Sequence, residues 1–211
     1  MVEAFDFENW PRKEAYAFFS GISNPFYMVT FRQDVTRLYD FVKAEELSFY
    51  YGMIWACTCA LNAVEAFRLT IREGEIVRLP GRLPSFTDLK PGAEQFHIVT
   101  MDCGEDIRSF CREAAGKSLA QEGFIDLSQE TDELIYLSCL PWVELTALTN
   151  ERDLSAPGAR DDSIPRIAWG KYSDEGGRKN LGLSLEVNHR LIDGVHIGRF
   201  AEALNSVIEK L

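Results

Sequence analysis

The chain has 211 residues, 46% of them hydrophobic, with 33 acidic against 22 basic side chains. That length and apolar content suffice for one substantial core, so residues 1–211 are read as a single domain. A net charge of −11 argues against nucleic acid and anionic membranes as partners, but a few local lysines could still hold an anionic small ligand.

The N-terminal "MVEAFDFENW" is acidic and lacks both a basic stretch and an apolar core, so no signal peptide is expected. No run reaches the ~18 apolar residues of a membrane span. A cytoplasmic location, without membrane contact, is the expectation. "ENWPRKEAYAFFSGI" predicts a short helix, with Asn9 as its cap and Pro11 in the first turn. "FYMVTFRQDV" has strand composition, and "DVTRLYDFVKAE" spaces Val35, Leu38, Phe41 and Val42 as one helical face with Asp34 as cap. "SFYYGMIWACTCALNAVEAF" is apolar all round and predicts a buried helix. "RLTIREGEIVRL" predicts a hairpin turning at Glu73 and Gly74, "EQFHIVTM" a strand and "GEDIRSFCREAAGKSLAQ" a surface helix. "ELIYLSCLPW" reads as a strand, and "TNERDLSAPGARDDSIP" as an exposed loop. "RIAWGKY" and "NLGLSLEVNH" make a last hairpin around Gly176 and Gly177, and "RFAEALNSVIEKL" closes the chain as an amphipathic helix. Strands and helices mix without strict alternation. The expected fold is a two-layer α/β sandwich, a mixed sheet covered by helices.

Few residues offer chemistry. Cys57, Cys59, Cys103, Cys111 and Cys139 lie mostly in apolar runs without C-x-x-C spacing, and the three histidines are not paired with them, so no metal site is expected. There is no phosphate-cradling glycine loop and no G-x-S-x-G elbow. His97 alternates away from Phe96 and Ile98, and His196 falls in the first turn of the last helix, where packing or surface is the default. His189 differs. In "LGLSLEVNHRLIDGVHIGRF" the odd positions Leu181 to Val187 are apolar, the period of a strand with one buried face. His189 keeps that parity and precedes Asp193 by four residues. Such a pair is either a satisfied core contact or a catalytic base with its neighbour.

"NHRLIDG" places H-x-x-x-D-G between a strand and a helix, and the segments around it fall in a recognisable order. "NWPRKEAYAFF", "FYYGMIWACTCALNAVEAFRLTIREGEIV", "SCLPWVELTAL", "PRIAWGKY" and "NHRLIDGVHIGRF" together resemble the chloramphenicol acetyltransferase family over almost the whole chain. The resemblance implies a CoA-dependent O-acetyltransferase that moves an acetyl group from acetyl-CoA to a hydroxyl of a small molecule such as chloramphenicol. Acetyl-CoA would be a cosubstrate, with no tightly bound cofactor. His189 would be the general base. Arg12 and Asp193 would pair to brace the turn that carries it. Tyr50, Lys171 and Tyr172 would line the coenzyme A side, and Tyr27, Phe96, Ile98 and Leu145 the acceptor pocket. The family is trimeric, which implies a homotrimer whose sites lie between subunits, the histidine facing its neighbour's acceptor pocket. Three positions of the family differ here: its paired histidines are reduced to Asn188 and His189, which leaves the base intact, and two further polar residues are lost. Its oxyanion-binding serine is replaced by Ala147, whose neighbour Thr146 should face the other way in a strand, and a pocket threonine is replaced by Ala168. A different acceptor, or a relative that binds its ligand with weak catalysis, are therefore the competing readings. "HRLIDG" is also similar to the signature of dihydrolipoamide acyltransferases, although "NWPRKEAYAFF" fits the antibiotic-modifying branch better.

Overall fold

A computed structural model describes residues 3–211. In chain order its elements are β1 (Glu3–Ala4), α1 (Lys13–Ser20), β2 (Phe26–Asp34), α2 (Thr36–Ala44), α3 (Phe49–Asn62), β3 (Leu69–Arg72), β4 (Glu75–Arg78) and β5 (Leu83–Asp88). There follow β6 (His97–Thr100), α4 (Ile107–Ala120), β7 (Leu134–Leu140), β8 (Arg166–Gly170), β9 (Ser173–Glu175), β10 (Arg178–Asn188) and α5 (Gly194–Glu209). The main sheet runs β2-β10-β8-β7-β5-β6, with β9 pairing the start of β10. The β5–β7 and β7–β8 pairs are parallel and the others antiparallel, so the sheet is mixed as expected. A small sheet β1-β4-β3 stands apart. Its hairpin turns where expected, at Glu73 and Gly74, both with positive φ as a two-residue turn of this hand requires.

One hydrophobic core joins sheet and helices. Leu181, Leu183, Leu185 and Val187 of β10 share it with Leu38 of α2, Met53 and Cys57 of α3, and Phe200 and Leu204 of α5. The helix α3 is buried along much of its length, with Ser48 capping it by accepting from the Tyr51 amide. The first helix starts later than its sequence suggests. Asn9 instead donates to Asp6, and the helical hydrogen bonds begin beyond Pro11 at Lys13. Strand β5 has no counterpart among the expected elements, and it carries Pro84. Pro84 is tolerated because its neighbours supply the ladder: Leu83 donates to Glu133 and Met101 donates to the Pro84 carbonyl.

The segment expected as an exposed loop is the main correction. β10 lies between β2 and β8, and its even residues Ser184, Glu186 and Asn188 are buried too. Residues 143–162 cross that second face and satisfy them. Ser184 donates to the Leu148 carbonyl at 3.1 Å, and the Glu186 carboxylate accepts from Asn150 and from Arg152 at 2.6 Å. Asn188 donates to the Arg160 and Asp162 carbonyls at 2.9 and 3.0 Å. Buried polar groups need partners, and here the partners come from the irregular segment. The alternation in β10 therefore marks two chemically different buried faces, one apolar and one polar.

Candidate active site

Strand β10 ends at Asn188, but the pairing with β2 carries one bond further: the His189 amide donates to the Pro25 carbonyl at 2.7 Å. Val187 pairs with Tyr27, so two residues on, the His189 ring meets Tyr27 with centroids 4.1 Å apart. Phe19 of α1 stacks on the same imidazole at 3.8 Å and 23°. The ring is thus held between a helix and a strand, with 27% of its side chain still exposed. Burial lowers the His189 pKa below the ordinary 6.5; the Asp193 carboxylate opposes that shift and Arg12 reinforces it. The imidazole is neutral and able to accept a proton near neutral pH.

The turn after His189 is tight, with Leu191 and Ile192 amides both donating to the Asn188 carbonyl at 3.1 and 3.0 Å. Their side chains drop into the core, and Asp193 begins α5 as its N-cap. Asp193 Oδ1 accepts from the Gly194 amide at 2.7 Å, while its own amide donates to His196 Nδ1 at 2.9 Å. Oδ2 accepts from Arg12 Nη1 at 2.8 Å, and Arg12 Nη2 donates to the His189 carbonyl at 3.2 Å. The Gly194 amide, then Arg12, hold the Asp193 carboxyl below the usual carboxylate range. Arg12 thereby bridges both ends of the histidine turn. His189 Nε2 stands 3.7 Å from Asp193 Oδ1, beyond hydrogen-bond reach. The Gly194 amide engages one carboxylate oxygen and Arg12 the other, so Asp193 ties α5 to Arg12 across the turn.

The other anticipated residues are spread over the sheet. Tyr27 lies beside its own chain's histidine; its hydroxyl is buried without a partner among the described residues, and burial pushes its pKa up to about 12. Tyr50 packs against Trp169 at 5.6 Å and donates its hydroxyl to the Thr87 carbonyl. Lys171 is exposed, and Tyr172 rests on Tyr39 and Phe49 at 5.3 and 5.7 Å. Phe96 is 45% exposed and meets Phe124, while Ile98 is half-buried in β6. β6 lies four strand positions from β10, roughly 19 Å at about 4.8 Å per strand. Phe96 and Ile98 therefore do not share a pocket with the histidine of their own chain. His97 faces away from Ile98 and pairs with Ser118 of α4 at 2.9 Å.

Leu145 is half-buried where the crossing segment passes over Gly170 and Gly182. A Cβ on Gly170 would lie 2.5 Å from the Leu145 amide nitrogen, and one on Gly182 would overlap the Leu145 carbonyl oxygen. Beyond Leu140 this stretch is irregular, so Thr146 and Ala147 do not alternate as in a strand; both are exposed. Ala168 is buried in β8 and flanked in register by Ser184 and Ser138. Thr30, Ser184, Ala168 and Ser138 follow one another in register, the Ser138 hydroxyl meets that of Thr87 at 3.1 Å, and the Thr30 hydroxyl is buried without a partner among the described residues. Sequence reasoning missed Phe19 and Arg190, and it noted Asn188 only as the residue standing in place of the family's first paired histidine. Arg190 left one signal, a charge immediately before the buried Leu191 and Ile192.

The geometry can be set beside known proteins. The chloramphenicol acetyltransferase family profile matches residues 2–205. A chloramphenicol acetyltransferase of Klebsiella sp is 26% identical over 97% of this chain and 93% of its own. Chloramphenicol acetyltransferase 3 of Escherichia coli is 26% identical over 96% and 95%. Among solved structures, a chloramphenicol acetyltransferase superposes with a TM-score of 0.85 at 23% identity, covering 99% of this chain and 100% of that one. The dihydrolipoamide acetyltransferase of Azotobacter vinelandii reaches 0.68 at 18% identity, covering 93% and 86%. With its fold and nearly its full length matched in this way, the chain belongs to the chloramphenicol acetyltransferase family.

Proposed function

We propose that the protein transfers an acetyl group from acetyl-CoA to a hydroxyl of a small molecule, chloramphenicol being the first acceptor to test, with His189 as general base. The observation that carries this reading is the His189 imidazole itself: neutral, part-exposed, and fixed at the end of β10 by Phe19, Tyr27 and the Arg12–Asp193 brace. In the reaction it accepts the acceptor's hydroxyl proton as the oxygen attacks the thioester carbonyl. The tetrahedral oxyanion then collapses, the carbon–sulfur bond breaks, and the proton passes to the departing thiolate. Tyr50, Lys171 and Tyr172 would serve the coenzyme A side, and Phe96, Ile98 and Leu145 the acceptor. The separation of β6 from β10 favours a homotrimer in which Phe96 and Ile98 of one subunit face the histidine of the next.

A second reading has its own observation. No hydroxyl stands at position 147, and the nearby Ser184 hydroxyl is spent on Leu148. Removing an oxyanion donor costs about 2.7–4 kcal/mol in other enzymes, enough to leave a protein that binds acceptor and turns over slowly. Release of free coenzyme A from acetyl-CoA, quantified by chromatography, decides, with chloramphenicol first and then a panel of hydroxyl and dihydrolipoamide-type thiol acceptors. His189→Ala should abolish release while coenzyme A still binds, and His97→Ala should keep most of it. Equal turnover by His189→Ala and wild type would remove the base from the mechanism.

A further inference from the structure

Arg190 follows the base directly, is 7% exposed, and spends its guanidinium on α1 and on residues 160 and 161. Nη2 donates to the Tyr16 hydroxyl at 2.7 Å, and the guanidinium carbon lies 4.7 Å from that ring's centre. Nε donates to the Ser20 hydroxyl at 3.0 Å. Nη1 pairs with Asp161 at 2.5 Å and donates to the Arg160 carbonyl at 3.3 Å. Arg160 in turn donates to the Ser20 and Ile22 carbonyls, where the chain leaves α1. Tyr16, Phe19 and Ser20 are three and four residues apart and so share one face of α1. A clamp on Tyr16 and Ser20 consequently fixes the residue between them. That residue is Phe19, the ring stacked on His189. Asn188 holds the other side of the base by its two bonds to the 160–162 segment and accepts from the Arg190 amide at 3.1 Å.

We propose that Arg190 is a positioning residue for the general base: by clamping Tyr16 and Ser20 it seats Phe19 against the imidazole and so fixes the ring's orientation and its shelter from water. The proposal rests on the reading of His189 as base. It assigns Arg190 a task distinct from that of Arg12, which bridges the backbone and carboxylate of the turn. The charged and titratable groups facing His189 are Asp193 on its own turn, Arg12 from before α1 and Tyr27 on β2; Arg190 itself points towards α1 and Asp161.

The test pairs kinetics with an imidazole titration followed by proton–carbon NMR, the His189 signal being identified by its loss in His189→Ala. Arg190→Met should lower kcat by about ten- to a hundredfold, the scale of a small misplacement of a reacting group, with KM for acetyl-CoA close to wild type. Its His189 signal should titrate higher than in wild type, towards 6.5, as water reaches the ring. Arg190→Lys should recover part of both, since one ammonium cannot reach all three sets of acceptors. Tyr16→Phe alters no charge, so an upward shift there reports the stacking alone, and it settles the matter if Arg190→Met does not fold. If His189 titrates and turns over in Tyr16→Phe and in a folded Arg190 variant as it does in wild type, the proposal is overturned. If wild type acetylates nothing, the reading of the base fails, while the titration still tests whether Arg190 seats Phe19.

Discussion

Asp193 carries two separable loads, and replacing it tests both. Asp193→Ala removes the cap on α5, a loss of about 1 kcal/mol. It also removes the partner of Arg12, whose side chain is 15% exposed against 48% for Asp193. A fully buried pair would weigh more, but half-exposure of the carboxylate limits this contribution to about 1 kcal/mol. The sum, about 2 kcal/mol, corresponds to a fall in Tm of roughly 4–8 °C for a chain of this length. Asp193→Asn keeps an acceptor for the Gly194 amide and should lose roughly half as much. The acid side gives an independent check. The folded pKa of Asp193 lies below the ordinary 3.8, so its contribution is fully present above that value and is lost as pH falls through the folded pKa. Melting curves of wild type and both variants should therefore converge towards acid pH and separate at neutrality. If Asp193→Ala melts with wild type at pH 7, the brace described for the histidine turn contributes nothing to stability and the reasoning fails.

Turnover should have an acid limb below 6.5, because desolvation keeps His189 neutral to lower pH than a free imidazole; a limb above 6.5 would contradict the placement of the ring. Ala147→Ser should raise kcat with chloramphenicol more than it changes KM, since an oxyanion donor acts on charge that develops in the transition state. A fast wild type indifferent to that change would mean that another donor occupies the position. Gly182→Ala should destabilise the fold by about 1–3 kcal/mol through overpacking against Leu145, read in denaturant unfolding, and an unchanged midpoint would refute the close approach. Light scattering should give a mass near three times 23.9 kDa, and mixing His189→Ala with an Ile98 variant should restore activity that neither has alone. An active monomer would end the shared-site reading.

What could be read in the sequence follows the range of the forces involved. Apolar periodicity announces elements that bury one face, and α5 and the odd positions of β10 were visible for that reason, while α3 was visible because it is apolar all round. Turn chemistry marked Glu73 and Gly74, where backbone conformation is decided locally. Partners far apart in the chain were not visible from the residues alone. Nothing local says that Glu186 will hold Arg152, or that Asn188 will hold the 160–162 carbonyls, so the segment between looked like solvent-exposed loop. The Arg12–Asp193 pair, 181 residues apart, was anticipated only through the family resemblance. Phe19 escaped notice because an aromatic residue in a short amphipathic helix has an ordinary packing role, and its stacking on His189 depends on how α1 docks.

Gly170 and Gly182 face each other one step past the Trp169–Leu183 pair and leave a notch in the sheet. The backbone of residues 143–145 rests in it, at the depth that two absent side chains allow. Any larger residue there would act as a shim, lifting the following Thr146 and Ala147 away from β10. Main-chain contact sets the height of this ridge, while the identities of residues 146 and 147 set its chemistry. The two properties are therefore independent. Substitutions along the ridge can change its chemistry with the sheet register untouched, whereas an inserted residue between Val143 and Leu148 would unseat it.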